Sequence, residues 1–540
     1  MENTNIRTEN WQEFASRKEK EIMELKAENA ELNKKIEWLM EQFRLGQQRR
    51  FGSSSEKYQS PEQLNLFNEV EATAEESIAE PELIEIERHY RKRRRSVNER
   101  LPEELPIEKI EYELPQSEQI CPECGEGLHV MGKETRRELK FIPAKAVIVE
   151  HIRKIYSCRD CEKKSDHVPI VKAKMPEPVI KGSFASPEAI AHIMTQKFVM
   201  CAPLYRQEAE WKRNAILLSR QTMSNWLMKA TESWLEPIYH ELQKRLLARE
   251  VLHADETVLQ VLHEDGKTAQ SKSYMWLYRT SGDAENPIVL YEYQPDRRAE
   301  RPETFLKEFK GYLHADGYSG YHDLPETIKI VGCFAHARRK WVEALKAIPS
   351  KARDGTNVQK GVAYIDKLFA LERKFAEISP AERFKKRQEL AKPVLDEFLA
   401  WIKSITAPPK TLIGVAAHYT LSQWKYLERY LLDGRLEISN NRAERSIKPF
   451  VIARKNFLFS NTPNGAKTSA IMFSIIETAK ENGLNPFEYL TYIFKNAPNW
   501  NIRNDPEALL RLIPGSDQIP GFVRYPSSQQ PLCHEWEEIG

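Results

Sequence analysis

The sequence predicts a multidomain α+β protein, and three observations support this class. Apolar residues recur every three and four positions over residues 22–43, cysteines occur as two Cys-x-x-Cys pairs, and strand-like segments alternate with helical ones after residue 251. A chain of 540 residues is long enough for three or more domains. We therefore expect small N-terminal modules followed by a larger α/β core.

The seven-residue repeat predicts a coiled coil, because apolar residues at two positions of each heptad form a continuous seam. Asn29 falls within this seam, where a buried amide favours a parallel dimer in register. The sequence therefore predicts a homodimer or higher assembly, although a single amphipathic helix would show the same pattern. The seam residues are Ile22, Leu25, Asn29, Leu32, Ile36, Leu39 and Phe43.

Charge is distributed unevenly along the segment that follows. The net charge of +2 indicates no particular partner, but residues 69–87 hold eight Glu and no Lys or Arg, and six of the next eight residues are basic. This polarity predicts a flexible arm with a basic end that contacts DNA phosphates, although a solvated charge run has the same composition. The residues expected to make these contacts are Arg91, Lys92, Arg93, Arg94 and Arg95.

No run of 18 apolar residues occurs, and the first residues lack the basic-then-apolar order of a signal peptide. We expect a cytoplasmic protein without a membrane partner, associated with the nucleoid when it binds DNA. In that reducing compartment cysteines serve as metal ligands or packed thiols more often than as disulfides.

The two Cys-x-x-Cys pairs predict one structural zinc ion. They are CPECG and CRDC, and four thiolates at this spacing can surround zinc as a tetrahedron, with strand-like sequence between them. Four free thiols are the alternative. A catalytic zinc is not expected, because four cysteines leave no open coordination position. The predicted ligands are Cys121, Cys124, Cys158 and Cys161.

Residues 186–235 read as helices. Ser186 and Ser219 are suitable N-caps, and two short helices around residues 203–230 resemble a helix-turn-helix. Helical hairpins that do not touch DNA have a similar pattern. If the second helix enters a groove, Arg220, Gln221 and Asn225 are placed to contact bases or phosphates.

From residue 251 the order is three strands, a helix, a strand, and a further strand–helix pair, which is the order of the ribonuclease H fold. Asp255 then lies on the first strand and Asp316 at the tip of the adjacent fourth. Glu444 is the expected third acid, on a helix capped by residues 439–441. Glu437 is the rejected alternative, because it belongs to the preceding connection.

Carboxylates this close repel one another unless a cation joins them, and oxygen-only ligands suit Mg²⁺ or Mn²⁺. Two such ions can activate a water or hydroxyl for phosphoryl displacement. Two aspartates that merely end strands remain the alternative. His314, Arg338, Arg445 and Lys448 are further candidates for phosphate contacts.

The motifs HADET, HADGYSGY, CFAHARRK and NNRAERSIKPFVIARKNFLFS, together with RRFGSSSEK, PLYRQEAEW and LSRQTMSNW, resemble the insertion-sequence-sixty-six family of DDE transposases. The resemblance implies catalytic Asp255, Asp316 and Glu444, with an all-helical insertion before the Glu. It also implies accessory proteins encoded by the same element. Cys333 and His336 match the family's Cys-x-x-His; two ligands are too few for zinc, so we expect them to support the active-site strand.

The sequence therefore predicts a transposase that binds the ends of its element, cleaves them, and joins the freed 3′-hydroxyl to target DNA. A nuclease without strand joining and an inactive DNA-binding relic are the alternatives. The predicted domains are a coiled coil (1–45), a linker with the basic arm (46–118), a zinc ribbon (119–172), a helix-turn-helix-like domain (173–245), a ribonuclease H-like core (246–348 and 437–498) with an all-helical insertion (349–436), and a C-terminal tail (499–540).

Overall fold

The computed structural model describes residues 15–26, 146–157 and 170–525. Residues 15–26 form a helix in which Ile22 and Leu25, the first two residues of the predicted seam, are about half exposed at 49% and 54%. The rest of the seam, the linker, the basic arm and the four zinc-ribbon cysteines lie outside the described residues. Among the described helices, none has the length and apolar character needed to cross a membrane.

Residues 68–175 form a unit of their own. Its described part contains two short antiparallel strands, β1 (Ile155–Ser157) and β2 (Ile170–Lys172), with Tyr156 opposite Val171. Residues 146–154 were expected to be strands and have no regular secondary structure. Val147 and Ile148 in this stretch are 80% and 94% exposed, so no strand within the described part of the chain covers their apolar side chains.

Residues 187–247 are helical, as the sequence predicts. The Ser186 side chain accepts a hydrogen bond from the Ala189 N–H, and Ser219 accepts one from the Thr222 N–H, so both serines cap their helices. The second and third helices are connected by residues 214–219, which gives the expected helical hairpin. The helices are α1 (Pro187–Phe198), α2 (Leu204–Arg213), α3 (Arg220–Ala230) and α4 (Glu236–Leu247), with a π-helical turn (Thr231–Leu235) between the last two.

A five-stranded mixed sheet follows, in the order β5-β4-β3-β6-β7. The first three strands in sequence are antiparallel, whereas β3, β6 and β7 run parallel. β6 begins at Gly311, where a Cβ atom would lie 2.2 Å from the Glu250 carbonyl oxygen, so glycine permits the close approach to β3. The elements are β3 (Val251–Gln260), β4 (Lys272–Thr280), β5 (Val289–Gln294), α5 (Glu300–Phe305), β6 (Gly311–His314), β7 (Ile328–Val331) and α6 (Phe334–Lys346).

Residues 357–432 are helical and build a second hydrophobic core around Trp341 of α6, whose ring packs near Phe398 and Trp401. The buried Arg387 links this helical segment to the chain that follows, because it donates to Glu372 and to the carbonyls of residues 430, 433 and 436. The helices are α7 (Asn357–Lys374), α8 (Pro380–Lys386), α9 (Lys392–Ser404) and α10 (Leu412–Leu427), with a π-helical turn (Arg387–Ala391) and a 3₁₀ turn (Glu428–Leu432).

The last helices return to the sheet. Helix α12 runs along the edge strand β5, where its Ser474 accepts from the Tyr291 N–H and its Thr478 accepts from the Val289 N–H. These side chains satisfy main-chain groups that another strand would otherwise pair with. The helices are α11 (Asn441–Phe457), α12 (Pro463–Glu481), α13 (Pro486–Asn496) and α14 (Pro506–Leu510).

Candidate active site

Strand pairing brings Asp255 and Asp316 to the same end of the sheet. β3 and β6 are parallel, and His253 lies beside His314. An aspartate follows two positions after each histidine, so the two aspartates lie close together. Asp255 is within β3, whereas Asp316 follows the end of β6 in a loop. This is the adjacency that the sequence predicted. The Tyr318 N–H donates to Asp316 Oδ1 at 2.9 Å and fixes the loop carboxylate.

Glu444 reaches the same place from the first turn of α11. Burial, together with the charges of Glu256, Asp316 and Glu444, raises the pKa of Asp255 well above its usual range. The three acids Asp255, Asp316 and Glu444 therefore form one group, called here the carboxylate cluster. Their convergence follows from two parallel strands and a helix packed across β3.

The oxygens of the carboxylate cluster are only partly satisfied. Asp255 Oδ1 accepts from the Glu256 N–H at 2.9 Å, but the buried Asp255 Oδ2 and Glu444 Oε1 have no hydrogen-bond partner among the described residues. Buried polar atoms in folded proteins are nearly always paired. Two orphaned carboxylate oxygens on facing elements therefore indicate a site that accepts a positively charged ligand.

Positive side chains surround the cluster at a distance. Arg297 Nη2 lies 4.0 Å from Asp316 Oδ2, Arg339 Nη2 lies 3.7 Å from Glu444 Oε2, and His336 Nδ1 lies 3.6 Å from Glu444 Oε1. Burial favours neutral His336, but Cys333 and the charges of Glu444 and Asp316 outweigh it and raise its pKa to about 9. These contacts are longer than hydrogen bonds, so they offset part of the carboxylate charge without satisfying the carboxylate oxygens.

Glu256, on the opposite face of β3, was not singled out in the sequence. It accepts hydrogen bonds from Arg297 and Tyr321, and burial raises its pKa to about 7, while Arg297 works in the other direction. Arg297 thus connects Glu256 with Asp316. Its position after β5 gives no periodic signal, so only the folded arrangement reveals this role.

Asn440 is the main departure from the expected capping. Its side chain makes no cap hydrogen bond to α11. Instead, the buried amide accepts from His253 Nδ1 at 2.9 Å and donates to the Ala254 carbonyl at 2.8 Å, while its backbone N–H contacts the Cys333 sulfur at 3.1 Å. The expected cap was wrong because β3 offers the amide partners for both of its polar ends.

Glu437 lies in the connection before α11, as predicted, and its carboxylate is paired there with neighbouring side chains. Arg442 Nε donates to Glu437 Oε1 at 2.7 Å, and His253 Nε2 lies 3.8 Å from the same oxygen. Burial favours a raised pKa, but His253 and Arg442 outweigh it and lower the pKa of Glu437 to about 2. This carboxylate is a structural partner rather than a member of the carboxylate cluster.

His314 is buried and not accessible from the surface, which corrects the expectation that it helps to position phosphates. Its side chain is fully buried and stacks on His253 with ring centroids 4.3 Å apart. Burial lowers the pKa of both imidazoles, to about 4 for His253, so both are neutral at pH 7. His314 Nε2 accepts from the Glu437 N–H at 3.2 Å, which gives it a structural role.

The other predicted DNA contacts lie on the surface. Arg220, Gln221 and Asn225 are exposed on α3, and Gln221 donates to Asn225. Arg445 and Lys448 are exposed on α11, which also carries Glu444. Arg338 is half-exposed and pairs with Asp366 at 2.6 Å, so a phosphate contact there would compete with an ion pair.

Sequence profiles of one family match most of the chain. The profile described as Transposase IS66 family matches residues 182–468. The zinc-finger binding domain of transposase IS66 matches residues 118–162, the Transposase C of IS166 homeodomain matches 38–110, and the IS66 C-terminal element matches 474–511. The zinc-finger match contains all four predicted cysteine ligands and supports a structural zinc ion.

The chain is also similar to individual proteins. The uncharacterized protein y4hP of Sinorhizobium fredii is 30% identical over 419 residues, which are 74% of this chain and 73% of that protein. The uncharacterized protein y4qI of the same organism is 29% identical over 87% of this chain and 88% of its own length. A solved structure, the Drosophila P element transposase strand transfer complex, matches 55% of this chain and 92% of its own chain, with 12% identity and a TM-score of 0.31. On the profile over residues 182–468 and the relatives that share most of their length with it, this chain belongs to the Transposase IS66 family.

Proposed function

We propose that this protein is a DDE transposase that binds the terminal inverted repeats of its insertion sequence and catalyses Mg²⁺-dependent DNA cleavage and strand transfer. The observation that carries the proposal is the carboxylate cluster, in which three acids from two adjacent strands and a helix meet around orphaned oxygens. The sheet supports it further, because three antiparallel strands followed by two parallel ones, in the order β5-β4-β3-β6-β7, match the ribonuclease H-like core expected for this chemistry.

The residues of the cluster fit a hard divalent cation. All three donors are carboxylates, the ligand type that Mg²⁺ and Mn²⁺ prefer. Asp255 Oδ2 and Glu444 Oε1 are buried without a partner among the described residues, and mutual repulsion of the acids would be relieved by a cation. Asp255, Asp316 and Glu444 would hold two Mg²⁺ ions. When bound, such ions lower the pKa of an attacking water or hydroxyl and neutralise the charge on the leaving oxygen.

The protein's own residues hold this arrangement rigid. Asn440 ties the start of α11 to β3 and to Cys333, so the segment that carries Glu444 is fixed relative to Asp255 by three hydrogen bonds. Arg339 lies close enough to Glu444 to restrain its second oxygen. Rigid placement of charged groups removes the reorganisation that a flexible site would need during reaction.

DNA binding involves several separate surfaces in this proposal. Arg445 and Lys448 extend from the outer side of α11, where they can contact phosphates next to the cleaved bond. The α2–α3 hairpin presents Arg220, Gln221 and Asn225 to the terminal repeat. The basic arm at 91–95 adds phosphate contacts, the zinc ribbon and coiled coil support a homodimer or larger assembly, and accessory proteins of the same element take part.

The test uses DNA fragments that carry the inverted repeats flanking the gene, incubated with the full-length protein and Mg²⁺. We expect cleavage at the repeat ends and covalent joining of the 3′-ends to a target plasmid, and neither product in a chelator. Cleavage without joining would support the nuclease alternative. Specific binding of the repeats without cleavage, in Mg²⁺ or Mn²⁺, would support the relic.

A further inference from the structure

Cys333, His336 and Glu444 form a second group of possible metal ligands beside the carboxylate cluster. One thiol sulfur, one imidazole nitrogen and one carboxylate oxygen all lie within 4.8 Å of one another. Cys333 is the residue before the first turn of α6, and His336 lies three positions later on the same face of that helix. Two residues are too few for a stable zinc site, but α11 supplies Glu444 as a third ligand.

Two of the three ligand atoms are buried and lack a hydrogen-bond partner among the described residues. They are His336 Nδ1 and Glu444 Oε1, which point toward each other at 3.6 Å. The third atom, the Cys333 sulfur, is buried and contacts the Asn440 N–H at 3.1 Å. Hydrogen bonds from backbone amides to sulfur are typical of metal-bound thiolates, and unsatisfied buried atoms indicate space for an ion.

The mixture of sulfur, nitrogen and oxygen determines which metal fits. Mg²⁺ avoids thiols, whereas Zn²⁺ and the related Cd²⁺ and Co²⁺ accept all three donor types. Zinc bonds of about 2.0–2.3 Å place neighbouring tetrahedral ligands roughly 3.3–3.7 Å apart. The contact between His336 and Glu444 already has this separation, and the Cys333 sulfur lies within 4.8 Å of both atoms.

We propose that Cys333, His336 and Glu444 bind one zinc-like divalent cation, and that its binding inhibits DNA cleavage by withdrawing Glu444 from the carboxylate cluster. Protons leave the Cys333 thiol and the His336 imidazolium to solvent when the sulfur and the nitrogen coordinate the metal, and water fills the fourth position. The binding site stands on the geometry alone, whereas the inhibition rests on the proposed function. Free zinc in the cell would then inhibit transposition.

Binding is measured on the full-length protein after equilibration with Zn²⁺ and removal of loosely held metal. The Cys333→Ser protein should contain about one zinc ion per chain less than the wild type, because one of three ligands is lost while the ribbon zinc is common to both. Cys201→Ser is the matched control, since Cys201 is the other free cysteine among the described residues, and it should keep the wild-type content. Co²⁺ in place of Zn²⁺ should give an additional sulfur-to-cobalt absorption that only Cys333→Ser loses.

Inhibition is measured by titrating Zn²⁺ into the Mg²⁺-dependent cleavage reaction, with each protein compared to its own rate without zinc. The zinc concentration for half-inhibition should rise at least about tenfold in Cys333→Ser and stay unchanged in Cys201→Ser. His336→Gln is a second variant of the same site, at a less buried residue. It should reproduce both effects, so the test remains decisive even if Cys333→Ser melts at a lower temperature than the wild type.

The outcomes separate this inference from the proposed function. Equal zinc content and equal inhibition in wild type, Cys333→Ser and His336→Gln would overturn the site, with zinc confined to the ribbon. Loss of one zinc in both variants, in a protein that never cleaves DNA, would support the site and refute the proposed function. Loss of one zinc with unchanged sensitivity of cleavage would overturn the inhibitory role.

Discussion

The carboxylate cluster lies next to a second polar group, called here the histidine layer, at the paired strands β3 and β6. The two groups differ in whether their charged side chains have partners. The carboxylate cluster uses Asp255 and Asp316. The histidine layer consists of His253 and His314, two residues earlier in each segment, together with Glu437 from the connection before α11. In the histidine layer Glu437 has Arg442 as its partner, and its pKa is lowered to about 2. In the carboxylate cluster burial and neighbouring acids raise the pKa of Asp255. Satisfied buried charges stabilise a fold, whereas unsatisfied ones indicate where a ligand binds.

The largest contrast is expected between Glu444→Gln and Glu437→Gln, two identical changes seven residues apart. A neutral amide ligates hard cations poorly, so Glu444→Gln should lower Mg²⁺-dependent cleavage and joining by about 10²–10³-fold or more while repeat binding persists. Glu437→Gln should stay within about tenfold of the wild type, because Glu437 belongs to the histidine layer. Rates measured on one repeat substrate decide this; an active Glu444→Gln protein beside a dead Glu437→Gln protein would reverse the assignment.

The free energy of unfolding should be sensitive to Glu437→Gln, the change that leaves cleavage nearly unaffected. Glu437→Gln should lower the free energy of unfolding by roughly 1–3 kcal/mol at pH 7, because the charge-assisted hydrogen bond with Arg442 is weakened. Since the folded-state pKa of Glu437 is below its ordinary value of 4.5, this contribution is complete above that pH and is lost as the pH falls toward 2. Denaturant unfolding of both proteins at several pH values should give a difference that shrinks below pH 4.5; a constant difference would contradict the ion pair.

Asn440 joins the two groups, so its removal should loosen the carboxylate cluster without removing any of its acids. Asn440→Ala should raise the Mg²⁺ concentration for half-maximal cleavage by about 10–100-fold, as is usual for residues that hold metal ligands in place. Asn441→Ala is the matched control at the next position and should leave this concentration unchanged. A loss of maximal rate at unchanged Mg²⁺ dependence would mean that Asn440 supports the fold only.

The smallest effect is an increase in stability. Because the folded-state pKa of Asp255 lies above its ordinary value of 3.8, its charged form disfavours the folded protein as the pH rises. Asp255→Asn should therefore stabilise the protein at pH 7 in a chelator by about 1 kcal/mol, although cleavage is lost. Added Mg²⁺ should raise the melting temperature of the wild type and not that of Asp255→Asn; a destabilised Asp255→Asn protein would show that Asp255 is already paired.

Sequence patterns predict the carboxylate cluster well and the histidine layer poorly, for physical reasons. Strand alternation accounts for Asp255 and helix periodicity for Glu444, and Asp316 directly follows a recognisable strand, so each position can be inferred from local sequence. Asn440 has an ordinary capping context, and only the packing of α11 against β3 gives its amide better partners. His314 and Arg297 depend on contacts between distant segments, for which the sequence contains no periodic signal.

The edge of the sheet has a consequence for the crowding of copies on DNA. If two or more copies assemble on the ends of one element, as proposed above, their strand edges would lie close together, the situation in which exposed edges pair and aggregate. Ser474 and Thr478 of α12 engage both the N–H and the carbonyl groups of Val289 and Tyr291, and Tyr239 donates to the same Tyr291 carbonyl. With these groups occupied, a neighbouring copy cannot extend the sheet through this part of β5, so close packing on DNA would not lead to intermolecular strand pairing there.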